Sequence, residues 1–365
     1  MTQLGFFPSR TLAFYMGKAF LIRTFAVLLM LVLVLMALDL LGESGDILAY
    51  PGNGEPEIWR YAGLRAPQIV ARFLPFSVLL GTIITLSTLN QNSEIISMKA
   101  AGLSAHQVLA PLVVASLLVA AISFAFNERI VTRATATLTQ WEAVDYGPMP
   151  IDRGDRSNVW VRAGDDLIQA RQVAGRGQDV RLAGVTIYQR QRGEMTALLR
   201  ATQAVRDGEG WRLIDPRRFD VGTGALTRPG DLIVARGVAP DRFTLANVDA
   251  DQLSYVPLAD AIDQLDAAGR PTKALEGAKW HKLSGPLSSI LMPLLGAVAA
   301  FGLARSGQLF LRAVIGMALG FAYFVADNFA LAMGNLGAYP PFLAAWAPFL
   351  LFLLIGEAVL VKTEE

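Results

Sequence analysis

Few side chains in the 365 residues are placed to do chemistry, and those few lie beside or inside long apolar runs. The densest group is the segment Asn90 to Ser104, NQNSEIISMKAAGLS. Asn92 or Ser93 can cap a short helix there, with Glu94, Ile95, Met98 and Ala101 near one face and Gly102 ending it. Such a helix, acidic and apolar at once, suits insertion into a groove on another protein; a capped interfacial helix without a partner fits the same residues. Asp327 stands inside an apolar run. A carboxylate at that depth is costly unless it faces protein or water, a need that a hydrogen bond to a neighbouring helix would meet. The two histidines, His106 and His281, flank apolar runs far apart in sequence and read more simply as interfacial side chains than as a metal pair.

The chemistry that is missing narrows the field. No G-x-x-x-x-G-K-[ST], H-E-x-x-H or G-x-S-x-G occurs, so the sequence offers no phosphate-cradling loop, zinc-protease helix or nucleophile elbow. The absence of cysteine removes disulfides, thiol catalysis and zinc–thiolate sites. Lys and Arg total 32 against 31 Asp and Glu, a formal net charge of +1 spread over the chain, which supplies no basic stripe for nucleic acid. No catalytic residue, metal or bound cofactor is expected of this chain. Any ATP it depends on must be hydrolysed by another subunit.

The elements that carry these residues are membrane helices. With 53% hydrophobic and 17% charged residues, the chain is too apolar for a soluble globular protein. Apolar runs near 19–41, 66–89 and 107–126, then near 285–304, 309–334 and 342–361, each approach the ~20 residues that cross a bilayer, giving about six spans. No small-residue cleavage site follows the first, so it reads as a retained span. Arg10 and Lys18 place the N-terminus in the cytoplasm, and the acidic first loop with Asp39, Glu43, Asp46, Glu55 and Glu57 suits the outer side. Arg305, Arg312 and Lys362 then put the fourth connection and the C-terminus inside, leaving the long insert outside.

From about Asn158 to Tyr255 the pattern changes to strand-length alternation: NVWVRA, DLIQARQV, AGVTIYQR, MTALLR, ATQAVRD, GWRLID, LIVARG and RFTLA. Turns such as Ala163-Gly164-Asp165-Asp166 and Asp207-Gly208-Glu209-Gly210 separate them. The expected fold is therefore an α-helical membrane protein with an inserted all-β, jelly-roll-like domain. Its organisation reads as 1–131 for the first three spans with a helix at 91–103, 132–256 for the β-domain, and 257–365 for a connector and the last three spans. Residues 132–142 look like a helical extension of the third span, and Leu258, Ile262 and Leu265 mark a helix in the connector. The β-domain interior is either a filled core or a trough for an apolar ligand.

The order of spans, the β-insert after the third, and the segments N-S-E-I-I-S-M-K-A-A-G-L-S, GVTIYQR, GWRLID and Phe324-Val325-Ala326-Asp327-Asn328 to Tyr339-Pro340-Pro341 resemble the permease subunits of the lipopolysaccharide exporter, the LptF/LptG family. The likeness covers essentially the whole chain and leans to the LptG branch in Tyr15-Met16-Gly17-Lys18 and in Val159 to Val173. It implies an inner-membrane permease that takes lipopolysaccharide from the bilayer beside a second, LptF-like permease, above an LptB-like ATPase dimer. LptC- and LptA-like bridge proteins would receive the lipid in the periplasm. By the same resemblance Glu94, with Ile95 and Met98, is the ATPase-coupling element, and Asp327 lies near a gate between paired permeases.

The resemblance also sets a puzzle. LptG-like members carry lysine late in the first span, where substrate phosphates can be met, but this chain has Asp39 at about that level. A carboxylate repels phosphate, so either the basic contribution has moved or a divalent cation bridges. Arg65, Arg72, Arg129 and Arg133 are the basic candidates, since guanidinium suits bidentate phosphate recognition, although each also fits a snorkelling anchor. Leu31, Val34 and Leu38 are the candidates to meet acyl chains. Two other classes compete: an ion-coupled secondary transporter, which needs several polar groups at midplane, and a membrane-anchored envelope scaffold, which needs neither coupling helix nor gate. An intramembrane enzyme is disfavoured because no nucleophile–base pair is visible.

Overall fold

Arg10–Ala49 form one helix, α1, started by Ser9, whose hydroxyl accepts a hydrogen bond from the Leu12 amide. The structure is a computed structural model and describes residues 9–148, 156–175, 179–191, 194–244, 248–267, 270–300 and 309–364. After α1 come α2 (Glu55–Gln91), α3 (Glu94–Ala100), α4 (Ala105–Phe126), a π-helical turn (Asn127–Val131) and α5 (Thr132–Glu142). Strands β1 to β8 follow between Arg156 and Val234, then α6 (Asp241–Thr244), a 3-10 turn (Ala250–Gln252), α7 (Tyr255–Ala267), α8 (Lys273–Ala300), α9 (Leu309–Asn335) and α10 (Pro341–Glu364). Among the described residues five stretches are long and apolar enough to span a membrane: Arg10–Ala49, Glu55–Gln91, Ala105–Glu142, Val314–Asn335 and Pro341–Val361. The run at 285–304 continues past the described residues, and its described part lies in α8.

The contacts divide the chain into two units, one comprising Met1–Pro148, Ala250–Ala259 and Thr272–Glu365, the other Met149–Asp249 and Asp260–Pro271. In the first, α2, α4 and α8 form the centre, with Val78, Leu79, Leu86, Leu112, Leu291 and Leu295 among its core residues. Helix α1 joins this core along one narrow stripe. Its buried residues are Met16, Phe20, Thr24 and Leu28, spaced four apart, and then only Ile47.

Close helix packing rests on small residues, as expected where lipid supplies no hydrophobic drive between helices. A Cβ at Gly81 of α2 would stand 2.2 Å from Thr24 Oγ1 and 2.8 Å from Thr24 Cα, so α1 and α2 touch nearly backbone to backbone there. Gly296 of α8 meets Thr82 of α2, and Gly334 of α9 meets Ala344 of α10, in the same way.

The second unit is built on one antiparallel sheet in the order β1-β2-β3-β4-β5-β8. Strands β1 (Arg156–Ala163) and β2 (Asp166–Ala174) are joined at Gly164, φ +63°, and β4 (Glu194–Asp207) and β5 (Gly210–Ile214) at Gly208, φ +57°, a region open to glycine at little cost. These are the two turns expected from sequence. β3 (Arg181–Gln191) pairs with β4, which is a single strand where MTALLR and ATQAVRD read as two. The first half of β4 pairs with β6 (Arg217–Asp220), itself paired with the short β7 (Leu226–Thr227), and the second half with β5, so the sheet forks. β8 (Leu232–Val234) closes on β5.

One inner face is packed by Val161, Ile168, Val185, Ile187, Leu199 and Trp211, all at most 6% exposed. The RFTLA segment is a correction: its first residues belong to the short helix α6, whose Phe243 stacks edge-on against Trp211 at 4.9 Å. Packing of one aromatic overrides weak alternation in a five-residue stretch. The apolar residues Leu258, Ile262 and Leu265 of α7 are buried as their helical spacing required.

Gly81→Ala is expected to cost about 1–3 kcal/mol by forcing α1 off α2, whereas Gly63→Ala, with no atom within 4 Å, is neutral or stabilising. Thermal unfolding of the detergent-solubilised protein checks this, and equal midpoints for the two variants would contradict the close crossing.

Candidate coupling and lipid-facing sites

Helix α3 is only seven residues long, and its ends are set by backbone more than by side chains. Ser93 stands at the N-cap with φ +59° and makes no side-chain cap bond, so the expected cap by Asn92 or Ser93 is not formed. Asn92 instead donates through Nδ2 to Glu94 Oε1 at 3.2 Å, and Tyr15 of α1 reaches the same oxygen through its hydroxyl at 3.4 Å. Gly102, φ +86°, ends the helix as its sequence position required, its amide bonding to the Lys99 carbonyl and that of Leu103 to Met98. Glu94 is thus half-buried and steered by α1, a contact across 79 residues that spacing alone does not reveal.

Ile95 and Met98 turn inward. They are 5% and 8% exposed and belong to the core of the helical unit, while Ile96 is 52% exposed. The buried pair anchors α3 to its own chain, and Ile96 is the large apolar side chain that α3 leaves exposed. A seven-residue helix cannot persist by propensity, so anchoring by two core side chains is what holds it.

Asp39 finds its counter-charge close by. Arg65 of α2 donates from Nη2 to Asp39 Oδ1 at 3.0 Å and from Nε to both oxygens at 3.2 Å, and the Tyr61 hydroxyl donates to Oδ2 at 2.8 Å. The third Arg65 nitrogen, Nη1, donates to Gln68 Oε1 at 2.8 Å. The carboxylate is therefore neutralised within the helical hairpin, and Arg65 is committed to it. Arg72, Arg129 and Arg133 are exposed and make no ion pair among the described residues.

The same end of the hairpin is tied to the segment after α5. Tyr146 donates to Glu43 Oε2 at 2.8 Å and packs edge-on against Tyr61 and Trp141, and Arg60 lies over the Trp141 ring at 4.6 Å. Asn53 bridges Ile47 and Tyr146 carbonyls. Burial, and then the Glu43 carboxylate, push the Tyr146 phenol above its usual range. A raised folded pKa means that the contribution of this bond is complete below pH ~10 and falls away above it, when the unfolded chain ionises first.

Of the lipid-facing candidates on α1, Val34 and Leu38 are 50% and 60% exposed, and Leu31 is half-buried. Between Leu28 and Ile47 no α1 residue is buried, so an apolar flank including Leu33 and Leu41 is open over this stretch. Asp327 of α9 is 6% exposed; its Oδ2 lies 3.8 Å from Nε2 of His281 on α8, and its Oδ1 has no hydrogen-bond partner. His106 faces a different carboxylate, Glu357 of α10, at 3.2 Å. Among the described residues no three metal-binding side chains cluster.

Several lipid-length helices, a short acidic helix between two of them and an inserted antiparallel β-domain define the class, a multi-pass membrane protein with a β-insert. The chain belongs to the family described as lipopolysaccharide export system permease LptF/LptG, which its residues 14–362 match. It is 25% identical to the lipopolysaccharide export system permease protein LptG of Escherichia coli strain K12 over 97% of this chain and 99% of that protein. The LptG permease of Haemophilus influenzae is also 25% identical, over 94% of this chain and 96% of its own length. As a member of this family the chain is a transport subunit of lipopolysaccharide export.

The Asp39–Arg65 pair predicts a coupling that the single variants exaggerate. Arg65→Ala leaves Asp39 facing Tyr61 alone and should cost ~1–3 kcal/mol, a range lowered from that of fully buried pairs because both side chains are partly exposed. Removing Asp39 as well should recover part of the loss. Strict additivity in thermal unfolding would contradict the pairing.

Proposed function

We propose that this chain is the LptG-type half of an ATP-driven exporter that lifts lipopolysaccharide out of the inner membrane. Membership of the permease family carries this reading, and the open flank of α1 beside buried stripes on its neighbours supports it. In this reading both termini and α3 are cytoplasmic and the β-domain is periplasmic. A second, LptF-like permease faces α1 and α9 across the lipid path. An LptB-like ATPase dimer hydrolyses the ATP, so this chain binds no nucleotide, and LptC- and LptA-like proteins take the lipid onward.

The energetics favour such a division. Each acyl methylene brought from lipid toward water costs about 0.8 kcal/mol, so extraction needs both a power source and an apolar surface. The exposed side chains Leu33, Val34 and Leu38, with Leu31 at the edge, offer that surface on α1. Phosphates would be met by Arg72, Arg129 or Arg133, because Arg65 is held by Asp39. This pairing removes the need for a bridging divalent cation at Asp39. Asp327, buried on α9 with Oδ1 lacking a hydrogen-bond partner, would respond when that helix moves at a gate.

Force would enter through α3. Glu94 would dock against basic side chains of the ATPase with Ile96 beside it, and Ile95 and Met98 would pass the displacement into the core that also holds Met16 and Leu109. The family to which the chain belongs is described as a permease of lipopolysaccharide export, which favours neither the ion-coupled nor the scaffold alternative, and the latter leaves α3 without a purpose.

Affinity purification of the full chain tests the reading. An ATPase dimer, a second homologous permease and bound glycolipid should accompany it, and Glu94→Ala should lose the ATPase or its stimulation by lipid. Recovery of a lone, lipid-free chain, or full export by Glu94→Ala, would overturn the proposal.

A further inference from the structure

The described residues contain one π-helical turn, Asn127–Val131, where the α4 helix gives way to its continuation α5. A π turn inserts an i→i+5 step into an α-helix, is rare, and is frequent at functional sites. The side chain placed here is Glu128. It is half-buried, and its Oε2 accepts a 2.6 Å hydrogen bond from the backbone amide of Tyr255, the first residue of α7. The two residues are 127 positions apart and stand on the chain's two passages, one leading into residues 149–249 and the other returning from them.

The bond is well matched chemically. The first amides of a helix have no partner within it, and the helix dipole favours an anion at that end. A carboxylate accepting such an amide makes a charge-assisted bond, consistent with the short distance. The helix so capped is also the one whose residues are shared between the two units, Tyr255–Ala259 with the first and the remainder with the second. Thr132, one turn after Glu128, anchors the other side of the π turn by donating from its hydroxyl to the Glu128 carbonyl at 3.0 Å. Glu128 therefore binds both sides of the neck: its backbone lies in the outgoing helix and its carboxylate holds the returning one.

We propose that Glu128 is a positioning residue for export, a strut that makes the outgoing and returning passages of the β-insert move as one body with α4. With the strut in place, a displacement of α4 is delivered to α5 and α7 together. Without it the two passages pivot independently about the π turn and the displacement is lost before it reaches the insert. The export function used here is the reading given above; the mechanical part does not depend on it.

The test uses the full chain, whose lack of cysteine allows unique labels. Spin labels at Thr139 of α5 and Val256 of α7, both exposed, report the neck by pulsed electron paramagnetic resonance in nanodiscs. The parent protein and Glu128→Gln, which keeps an acceptor, should give one narrow distance distribution, and Glu128→Ala a distribution at least twice as broad. Tyr255→Pro removes the donating amide at a position where a helix accepts proline, and it should reproduce the broadening if Glu128→Ala fails to fold. In proteoliposomes with the whole exporter, lipopolysaccharide release should fall fivefold or more in Glu128→Ala and stay within twofold in Glu128→Gln. A narrow distribution in Glu128→Ala or Tyr255→Pro overturns the strut, as does equal broadening in Glu128→Gln. A broad distribution with undiminished lipopolysaccharide release keeps the strut and refutes its part in export.

Discussion

Helix α1 is fastened to α2 at two levels and is open between them along one apolar flank, and the arrangement of the membrane unit follows from that. The lower joint is steric: Gly81 lets Thr24 of α1 approach to backbone distance. The upper joint is electrostatic: Arg65 and Tyr61 hold Asp39 with hydrogen bonds of 2.8–3.2 Å. In a bilayer an apolar flank gains nothing by packing on another apolar helix, so joints of this sort decide which helices stay together. The flank between them can then meet lipid without loosening the fold. A lipid path needs that combination of a fixed wall and an uncommitted surface.

The charge at Asp39 illustrates why a residue cannot be read apart from its neighbour. As a lone carboxylate near a phosphate route it opposes the function. As half of a pair with Arg65 it becomes a clasp between α1 and α2. The Tyr146–Glu43 bond and the Tyr61–Tyr146–Trp141 aromatic contacts extend the clasp to the segment following α5. Through α5 that segment connects to the π turn and Glu128.

Much of this was legible in the sequence. Hydropathy located the helices, glycine located the two hairpin turns of the sheet, and helical spacing of Leu258, Ile262 and Leu265 located α7. Even the clasp had a signal: Asp39 and Arg65 stand 13 residues before and after Gly52, and Glu43 and Tyr61 stand 9 before and after it. In a helical hairpin such equidistant residues face each other, and Thr24 and Gly81, 28 before and 29 after Gly52, keep the register. Other features had no local signal. Glu94 meets Tyr15 only because α1 and α3 converge at one end of the unit, and the inward turn of Ile95 and Met98 depends on how α3 is rotated. The helix at Asp241–Thr244 is decided by the contact of Phe243 with Trp211, which no five-residue pattern encodes.

The central claim is that the open flank of α1 touches the transported lipid. In-cell photo-crosslinking from Leu33, Val34 and Leu38 tests it most directly, with Leu28, buried in the core, as the internal control. The account predicts lipopolysaccharide adducts at the three exposed positions, reduced when ATP turnover is blocked, and none at Leu28. Adducts with bulk phospholipid alone at the exposed positions, with lipopolysaccharide captured elsewhere on the chain, would contradict it.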